Sequence, residues 1–238
     1  MLYLIGLGLD EKGLQQRSLE ILKRCKRVYL EGYTVDFPYS LKRLEEVLEK
    51  KIKLVDREFI ENFKFLDEAK KLDVALLFYG SPLVATTHIT ILDEAKKSEI
   101  KTKVFHSASV FDAVTETGLQ LYKFGKVASM PDWKDKGKST SFLDVVKQNQ
   151  SIDAHSLILI DIGLEFDDAL KQLQEALKEK ELDVKEIILC QTLGTKNSKI
   201  FYKKLKDFEE YDSVRKPYCI IIPGKLHFLE EEFLENFK

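Results

Sequence analysis

The chain has 238 residues, 44% of them hydrophobic and 33% charged, with 38 basic against 40 acidic residues and a net charge of -2. This composition excludes a disordered or low-complexity chain, and the balanced charge argues against a protein held to nucleic acid by a general basic surface. At about 150 residues per domain, the length gives one large domain or two small ones.

Taken in chain order, strand-like and helix-like runs alternate. Leu2 to Ile5 reads as a short buried strand. The apolar start MLYLIGLGLDE has no basic leader and no small-residue cleavage site, so it is expected to be a strand and not a signal peptide. A helix follows, with Leu14, Ser18, Ile21, Leu22 and Cys25 on one face, then a strand at Val28 to Leu30. Leu41, Leu44, Val47 and Leu48 mark the next helix, and Ile52 to Val55 a strand. Phe59 to Lys71 is predicted helical, Val74 to Tyr79 a strand, Thr86 to Lys97 a helix, Lys103 to Phe105 a strand and Ala108 to Gly118 a helix. Apolar strands separated by helices imply a parallel-rich sheet covered on both faces. The polar stretch Met130 to Ser141 is predicted as a loop or lid. Beyond it the pattern gives a helix near Phe142 to Lys147, a strand Leu157 to Ile162, a helix Phe166 to Lys180, a strand Ile187 to Cys190, a helix near Ile200 to Leu205, a strand Tyr218 to Ile222 and a helical tail. Two α/β domains are expected, 1–118 and 119–238. Cys25, Cys190 and Cys219 form no CxxC pair, so neither a disulfide framework nor a cysteine metal site is expected, and reducing cytoplasm is the expected compartment. No apolar run approaches the ~18 residues that span a bilayer.

Four strand-to-helix turns are candidates to carry chemistry, each open equally to a reading as an ordinary tight turn or helix cap. Ile5-Gly6-Leu7-Gly8-Leu9-Asp10 follows the first strand, but a dinucleotide fingerprint would need a third glycine at position 11, which is Glu. The turn suits a ligand held by backbone contacts and not a phosphate. Tyr79-Gly80-Ser81-Pro82-Leu83-Val84 leaves the carboxyl end of a strand, where open α/β sheets place ligands. Thr86 or Thr87 is positioned to cap the next helix, and His88 beyond it reads as a surface histidine. His106-Ser107-Ala108-Ser109-Val110 and Pro223-Gly224-Lys225-Leu226-His227 are further turns of this type. No catalytic triad, paired-carboxylate signature or metal helix is present in the sequence. Methyl transfer from a sulfonium donor fits such a set, because the donor leaves as a neutral thioether and alignment supplies most of the catalysis.

IGLGLDE, GSPLVATTH, HSASVFDAV with TGLQLYKFGK, and PGKLHFLEEEFL stand in this order along nearly the whole chain. In that order they resemble the diphthine synthase family, in its archaeal form, within the tetrapyrrole-methylase-like class of S-adenosylmethionine-dependent methyltransferases. The resemblance implies a two-domain α/β fold, each domain a sheet flanked by helices, with the cofactor in the interdomain cleft and the chain in a homodimer. It also implies the reaction. The amino group of a 3-amino-3-carboxypropyl-histidine of elongation factor 2 is methylated three times, giving diphthine and S-adenosylhomocysteine; no nucleic acid, membrane or metal takes part. The implied cofactor contacts are Leu9, Ser81, Val84, Ser109, Val110, Ile160 and His227, with Tyr202 placed by its spacing from His227. The resemblance names no general base; His88 and His106 are candidates by position only. Tyr122 and Trp133 are candidate aromatic walls for the growing ammonium, although packing or loop anchoring is the favoured reading of both.

Three departures from the family pattern stand out. Ser81 replaces the usual aspartate of Gly-Asp-Pro, the segment Asp161 to Cys190 is short, and Cys190-Gln191-Thr192-Leu193-Gly194 replaces an Ala/Arg-rich version. A methylase of the same class acting on a tetrapyrrole or ribosomal RNA, and a catalytically weak cofactor-binding paralogue, are the alternatives.

Overall fold

The computed structural model describes every residue except Asp212, and the side chains of the others apart from Lys136 and Glu210. The chain forms two compact units, Met1–Asp112 and Ala113–Lys238. The division falls a few residues before position 118. Gln120 belongs to the second unit, where its N–H donates to the Glu230 carboxylate at 2.9 Å.

The first unit contains β1 (Leu2–Gly6), α1 (Gln16–Arg24), β2 (Arg27–Glu31), α2 (Leu41–Leu48), β3 (Lys53–Val55), α3 (Arg57–Glu61), α4 (Phe65–Ala69), β4 (Val74–Phe78), α5 (Ile89–Lys97) and β5 (Thr102–Phe105), and α6 (Val110–Ala113) begins in it. Its strands lie in the order β3-β2-β4-β1-β5, every adjacent pair parallel. Alternation along each strand sends Leu2, Leu4, Val74 and Leu76 into one core with Phe65 and Ile91, and Tyr3, Ile5, Ala75 and Leu77 into another with Ile21, Leu22 and Leu44. Burying each such aliphatic side chain contributes about 1.5–3 kcal/mol. Two details depart from the periodicity. The helix expected over Phe59 to Lys71 is split, because the Asn62 side chain accepts from the Lys64 N–H and Phe63 adopts φ 54° to turn its ring onto the core. Neither Thr86 nor Thr87 caps α5, whose N-cap position is His88.

The second unit contains β6 (Ala128–Met130), α7 (Trp133–Lys136), α8 (Ser141–Gln150), β7 (Ser156–Ile160), α9 (Phe166–Glu179), β8 (Glu186–Gln191), β9 (Lys199–Lys204), β10 (Tyr218–Ile222) and α10 (Phe228–Leu234). Its sheet runs β6-β7-β10-β8-β9; β6 and β7 are parallel and the remaining pairs antiparallel. Ile158, Ile187, Leu189 and Ile220 face a core closed by Phe142 and Val146 of α8 and by Leu170 and Leu173 of α9. The helix expected near Ile200 to Leu205 is instead β9, paired residue by residue with β8. The stretch expected to be a loop or lid begins with the last residue of β6 and contains α7. Its Trp133 donates from Nε1 to the Ser139 carbonyl and from its backbone to Gln172 Oε1, each at 3.0 Å, which is loop anchoring. No helix among the described residues is long and apolar enough to cross a membrane, and all three cysteines are free and buried.

Candidate active site

In the first unit β4, β1 and β5 are adjacent, so their carboxyl-terminal turns meet at one edge of the sheet. Gly8 and Gly80 exchange backbone hydrogen bonds of 3.1 and 2.9 Å. The approach is close enough to require glycine. A Cβ on Gly6 would lie 2.5 Å from the Gly80 carbonyl oxygen and 3.1 Å from Ser107 Cβ, and Gly80 itself has φ +67°. Tyr79 reaches across to donate to the Leu9 carbonyl at 3.1 Å. Ser81 Oγ lies 3.1 Å from His106 Nδ1, joining the second turn to the third. The Ser109 hydroxyl and N–H both donate to Asp112 Oδ2, at 3.0 and 2.7 Å, which leaves the hydroxyl oxygen free as an acceptor.

Leu9, Ser81, Val84, Ser109 and Val110 thus stand on three turns that the sheet holds together. Ser81 and Ser109 are nearly buried, and Val84 is 36% exposed. Among the described residues, the hydrogen bonds that tie these turns together come from glycine backbone, hydroxyls, a tyrosine and one imidazole. Such a set suits a flat heterocycle with a neutral or zwitterionic tail. It fits the adenosyl and methionyl groups of S-adenosylmethionine.

The three expected contacts of the second unit lie apart within it. Ile160 ends β7 in register with Met130. Tyr202 is on β9, three strands away in the sheet order, opposite Ile188; at about 4.8 Å per strand that separation is roughly 14 Å. Its hydroxyl donates to Glu186 Oε2 at 2.6 Å, and burial together with that carboxylate raises its pKa. His227 follows β10, whose last residue pairs with Ser156, at the opposite end of β7 from Ile160. There it is the N-cap of α10.

His88 is not a surface residue. It is 4% exposed, its ring centroid is 4.6 Å from that of Phe78, and its Nε2 is 3.3 Å from the Tyr33 hydroxyl. Burial lowers its pKa. It anchors the far end of the turn that carries Ser81 and Val84. Tyr122 is 82% exposed and its hydroxyl donates to Gln120 Oε1.

The largest feature missed by residue-type reasoning is a buried polar cluster around Glu230 in the second unit. Glu230 and His155 are both fully buried and 3.2 Å apart, Lys123 pairs with the same carboxylate, and the His227 N–H donates to it at 2.8 Å. The available signal was the spacing of His227 and Glu230, a capping box opening α10.

The sequence model of the tetrapyrrole (corrin/porphyrin) methylases matches residues 1–209. The chain is 36% identical to the diphthine synthase of Methanococcus maripaludis, over 99% of this chain and 98% of that protein. It is 34% identical to the diphthine methyl ester synthase of Schizosaccharomyces pombe, over 100% of this chain and 94% of that one. A crystal structure of a diphthine synthase superposes with a TM-score of 0.90 at 30% identity, covering 100% of this chain and 96% of that one. By sequence and by fold, the chain belongs to the tetrapyrrole methylase family and, within it, to the diphthine synthases.

Proposed function

We propose that this methyltransferase uses S-adenosylmethionine to N-methylate the 3-amino-3-carboxypropyl-histidine of elongation factor 2, releasing S-adenosylhomocysteine. One observation carries the reading: in a chain that matches diphthine synthases from end to end, three glycine- and serine-bearing turns are locked together at the carboxyl edge of the first sheet. Leu9, Ser81, Val84, Ser109 and Val110 would hold the cofactor there. Ile160, Tyr202 and His227 are assigned as further contacts by the resemblance.

When bound, the cofactor supplies a methyl group on a sulfonium, a strong electrophile whose leaving group is neutral. The residues of this chain then have to bind, align and exclude water. Glycine turns let backbone groups approach closely, the Ser81 and Ser109 oxygens supply hydrogen-bond partners, and Leu9, Val84 and Val110 supply apolar walls. The substrate amine attacks through its lone pair in its neutral form, so no proton relay is required of the protein at the moment of transfer.

The test is to incubate the purified chain with methyl-labelled S-adenosylmethionine and elongation factor 2 bearing the unmethylated side chain. Label on the modified histidine of the factor supports the proposal. Cofactor binding without transfer defeats it and favours a weak cofactor-binding paralogue. A second outcome has its own support, since the fission yeast relative is named for a methyl ester. Mass spectrometry of the product counts the methyl groups, and mild alkaline hydrolysis removes one only if the carboxylate was also methylated. A homodimer working in the cytoplasm, where its translation-factor substrate resides, completes the proposal; sedimentation of the free chain decides the oligomeric state.

A further inference from the structure

Apart from His227, the motifs TGLQLYKFGK and PGKLHFLEEEFL have no role in the chemistry described above, yet the structure joins them at one carboxylate. Glu230 Oε1 accepts from the Gln120 N–H at 2.9 Å and lies 3.2 Å from His155 Nε2. Its Oε2 accepts from the His227 N–H at 2.8 Å and from the Lys123 ammonium. Lys123 also donates to the Lys225 carbonyl at 2.8 Å, and the Gly224 N–H donates to His155 Nδ1 at 2.9 Å. Because Nδ1 accepts, the His155 proton sits on Nε2 and points at Glu230. The turn from Gly224 to His227 is therefore gripped at three successive points by His155, Lys123 and Glu230. Gly224 allows this: a Cβ there would lie 2.5 Å from the carbonyl oxygens of Asp153 and Ala154.

The consequence reaches the His227 ring. Its Nδ1 accepts from the Leu229 N–H at 3.3 Å, and its ring centroid lies 4.3 Å from that of Phe228. A lone pair on Nδ1 puts the proton on Nε2, so the exposed edge of the ring is a hydrogen-bond donor in a fixed direction. The capping box that sets this orientation depends on Glu230 holding the His227 N–H. A buried carboxylate is a costly way to gain stability alone, since a well-packed apolar residue does as well or better.

We propose that Glu230 is a positioning residue: through the capping box it fixes His227 as an outward Nε2–H donor toward the cofactor, and through Lys123 and His155 it joins the two motif turns into one platform. The proposal rests on the reading that His227 touches S-adenosylmethionine.

The chain has four histidines, so their nitrogen resonances can be assigned by substitution. In the wild-type protein, long-range proton–nitrogen spectra should show His227 as a single Nε2–H tautomer. In Glu230→Gln that preference should disappear, and the dissociation constant for S-adenosylhomocysteine should rise about tenfold by calorimetry. Glu230→Asp, which keeps the charge, should recover part of the affinity. His227→Ala should weaken binding, and adding Glu230→Gln to it should weaken binding no further. Additive losses, or a folded Glu230→Gln with wild-type tautomer and affinity, would overturn the proposal. So would an Nδ1–H tautomer in the wild-type protein, a result that needs no variant to fold. If His227→Ala binds the product as tightly as wild type does, the assignment of His227 as a cofactor contact fails, and the tautomer measurement still decides whether Glu230 sets the ring.

Discussion

Among the described residues each unit buries one glutamate, and the two titrate in opposite directions. Glu31, at the end of β2, is 2% exposed and accepts from the Tyr33 N–H at 2.9 Å and the Thr34 hydroxyl at 2.7 Å. Burial dominates and raises its pKa; the hydrogen bonds from Thr34 and the Tyr33 backbone, and the more distant Arg57, oppose that without overcoming it. Glu230 is 0% exposed, and burial pushes its pKa up too. There, the N–H groups of Gln120 and His227 with the Lys123 and His155 side chains outweigh burial and hold the pKa down at about 2. Burial alone therefore does not decide the charge state of an interior carboxylate. The number of donors and the presence of a cation decide it. The first unit joins its candidate turns through backbone, hydroxyl and imidazole groups, with the Asp112 carboxylate holding Ser109, whereas the second organises its turns around the buried Glu230 carboxylate.

The largest expected effect is on stability, and it separates the two glutamates directly. In Glu230→Gln the amide cannot accept from four donors, and Lys123 is left beside it without its counter-charge. Breaking such a buried pair costs roughly 3–5 kcal/mol. Glu31→Gln keeps an acceptor for the Tyr33 N–H, and the Thr34 hydroxyl can rotate to accept from the new amide N–H, so the loss should stay within about 1 kcal/mol. Urea denaturation of both variants at neutral pH measures the difference. Equal losses would show that the donor count does not distinguish the two sites.

Acid sharpens the same contrast. Glu230 falls from an ordinary value of 4.5 to about 2 on folding, which corresponds to about 3 kcal/mol of stability. Because the folded value is the lower one, this contribution is fully present above pH 4.5 and disappears as pH falls toward 2. His155 adds to the acid loss from higher pH, since burial lowers its pKa below 6.5 and the unfolded chain takes up the proton first. Glu31, with a raised folded pKa, has the opposite sign: its penalty is present at neutral pH and is relieved on acidification. Denaturation midpoints followed from pH 7 to 2 should thus show a steep acid limb in wild type and in Glu31→Gln. The limb should be shallower in Glu230→Gln, whose stability should approach that of wild type near pH 2.

How much of this was legible in the sequence depends on how local each signal is. The strands β1 and β4 were readable because each is a continuous apolar run closed by glycine, and the shorter β5 because Val104 and Phe105 run into the small residues Ser107, Ala108 and Ser109; the same glycines and serines marked the three turns. Phe63 was not readable, since its positive φ answers to the core it fills and not to its neighbours. Lys199–Lys204 carries three apolar residues between lysines, a pattern short enough to suit either a helix or a strand; only pairing with β8 made it a strand. The polar segment after Met130 looked free because its partners, Gln172 of α9 among them, lie about 40 residues downstream. His88 looked exposed for the same reason: Phe78 and Tyr33 reach it through the fold. Glu230 stood among three consecutive glutamates in an amphipathic tail, and the sequence offered nothing but its capping-box spacing to mark the first of them as buried.

A middle-sized effect is expected at the candidate site of the first unit. Gly6→Ala places a methyl group 2.5 Å from the Gly80 carbonyl oxygen, which the backbone must relieve by moving one turn away from the other. Such overpacking costs about 1–3 kcal/mol. The displaced turn should also lose affinity for S-adenosylhomocysteine in calorimetry, while the acid limb assigned to Glu230 should be unchanged. A variant that keeps wild-type affinity would show that the meeting of the two turns has no bearing on the cofactor.

The smallest effect comes from adding to the first unit the kind of charge the second already uses. Ser81→Asp puts a carboxylate beside His106 Nδ1, which now lies 3.1 Å from the serine oxygen. One carboxylate oxygen would engage the imidazole and the other would remain as a charge-assisted acceptor for the donor groups of the cofactor. Exchanging a hydroxyl for a carboxylate in that role is worth about 1 kcal/mol, or roughly fivefold in the dissociation constant of S-adenosylhomocysteine. The gain is smaller than the Glu230 effects because Ser81 is nearly buried, so desolvation of the new carboxylate offsets part of what its hydrogen bonds contribute. An affinity unchanged or weakened by Ser81→Asp would mean that Ser81 does not face the polar groups of the cofactor, and would restrict the site on the first unit to its backbone and its apolar walls.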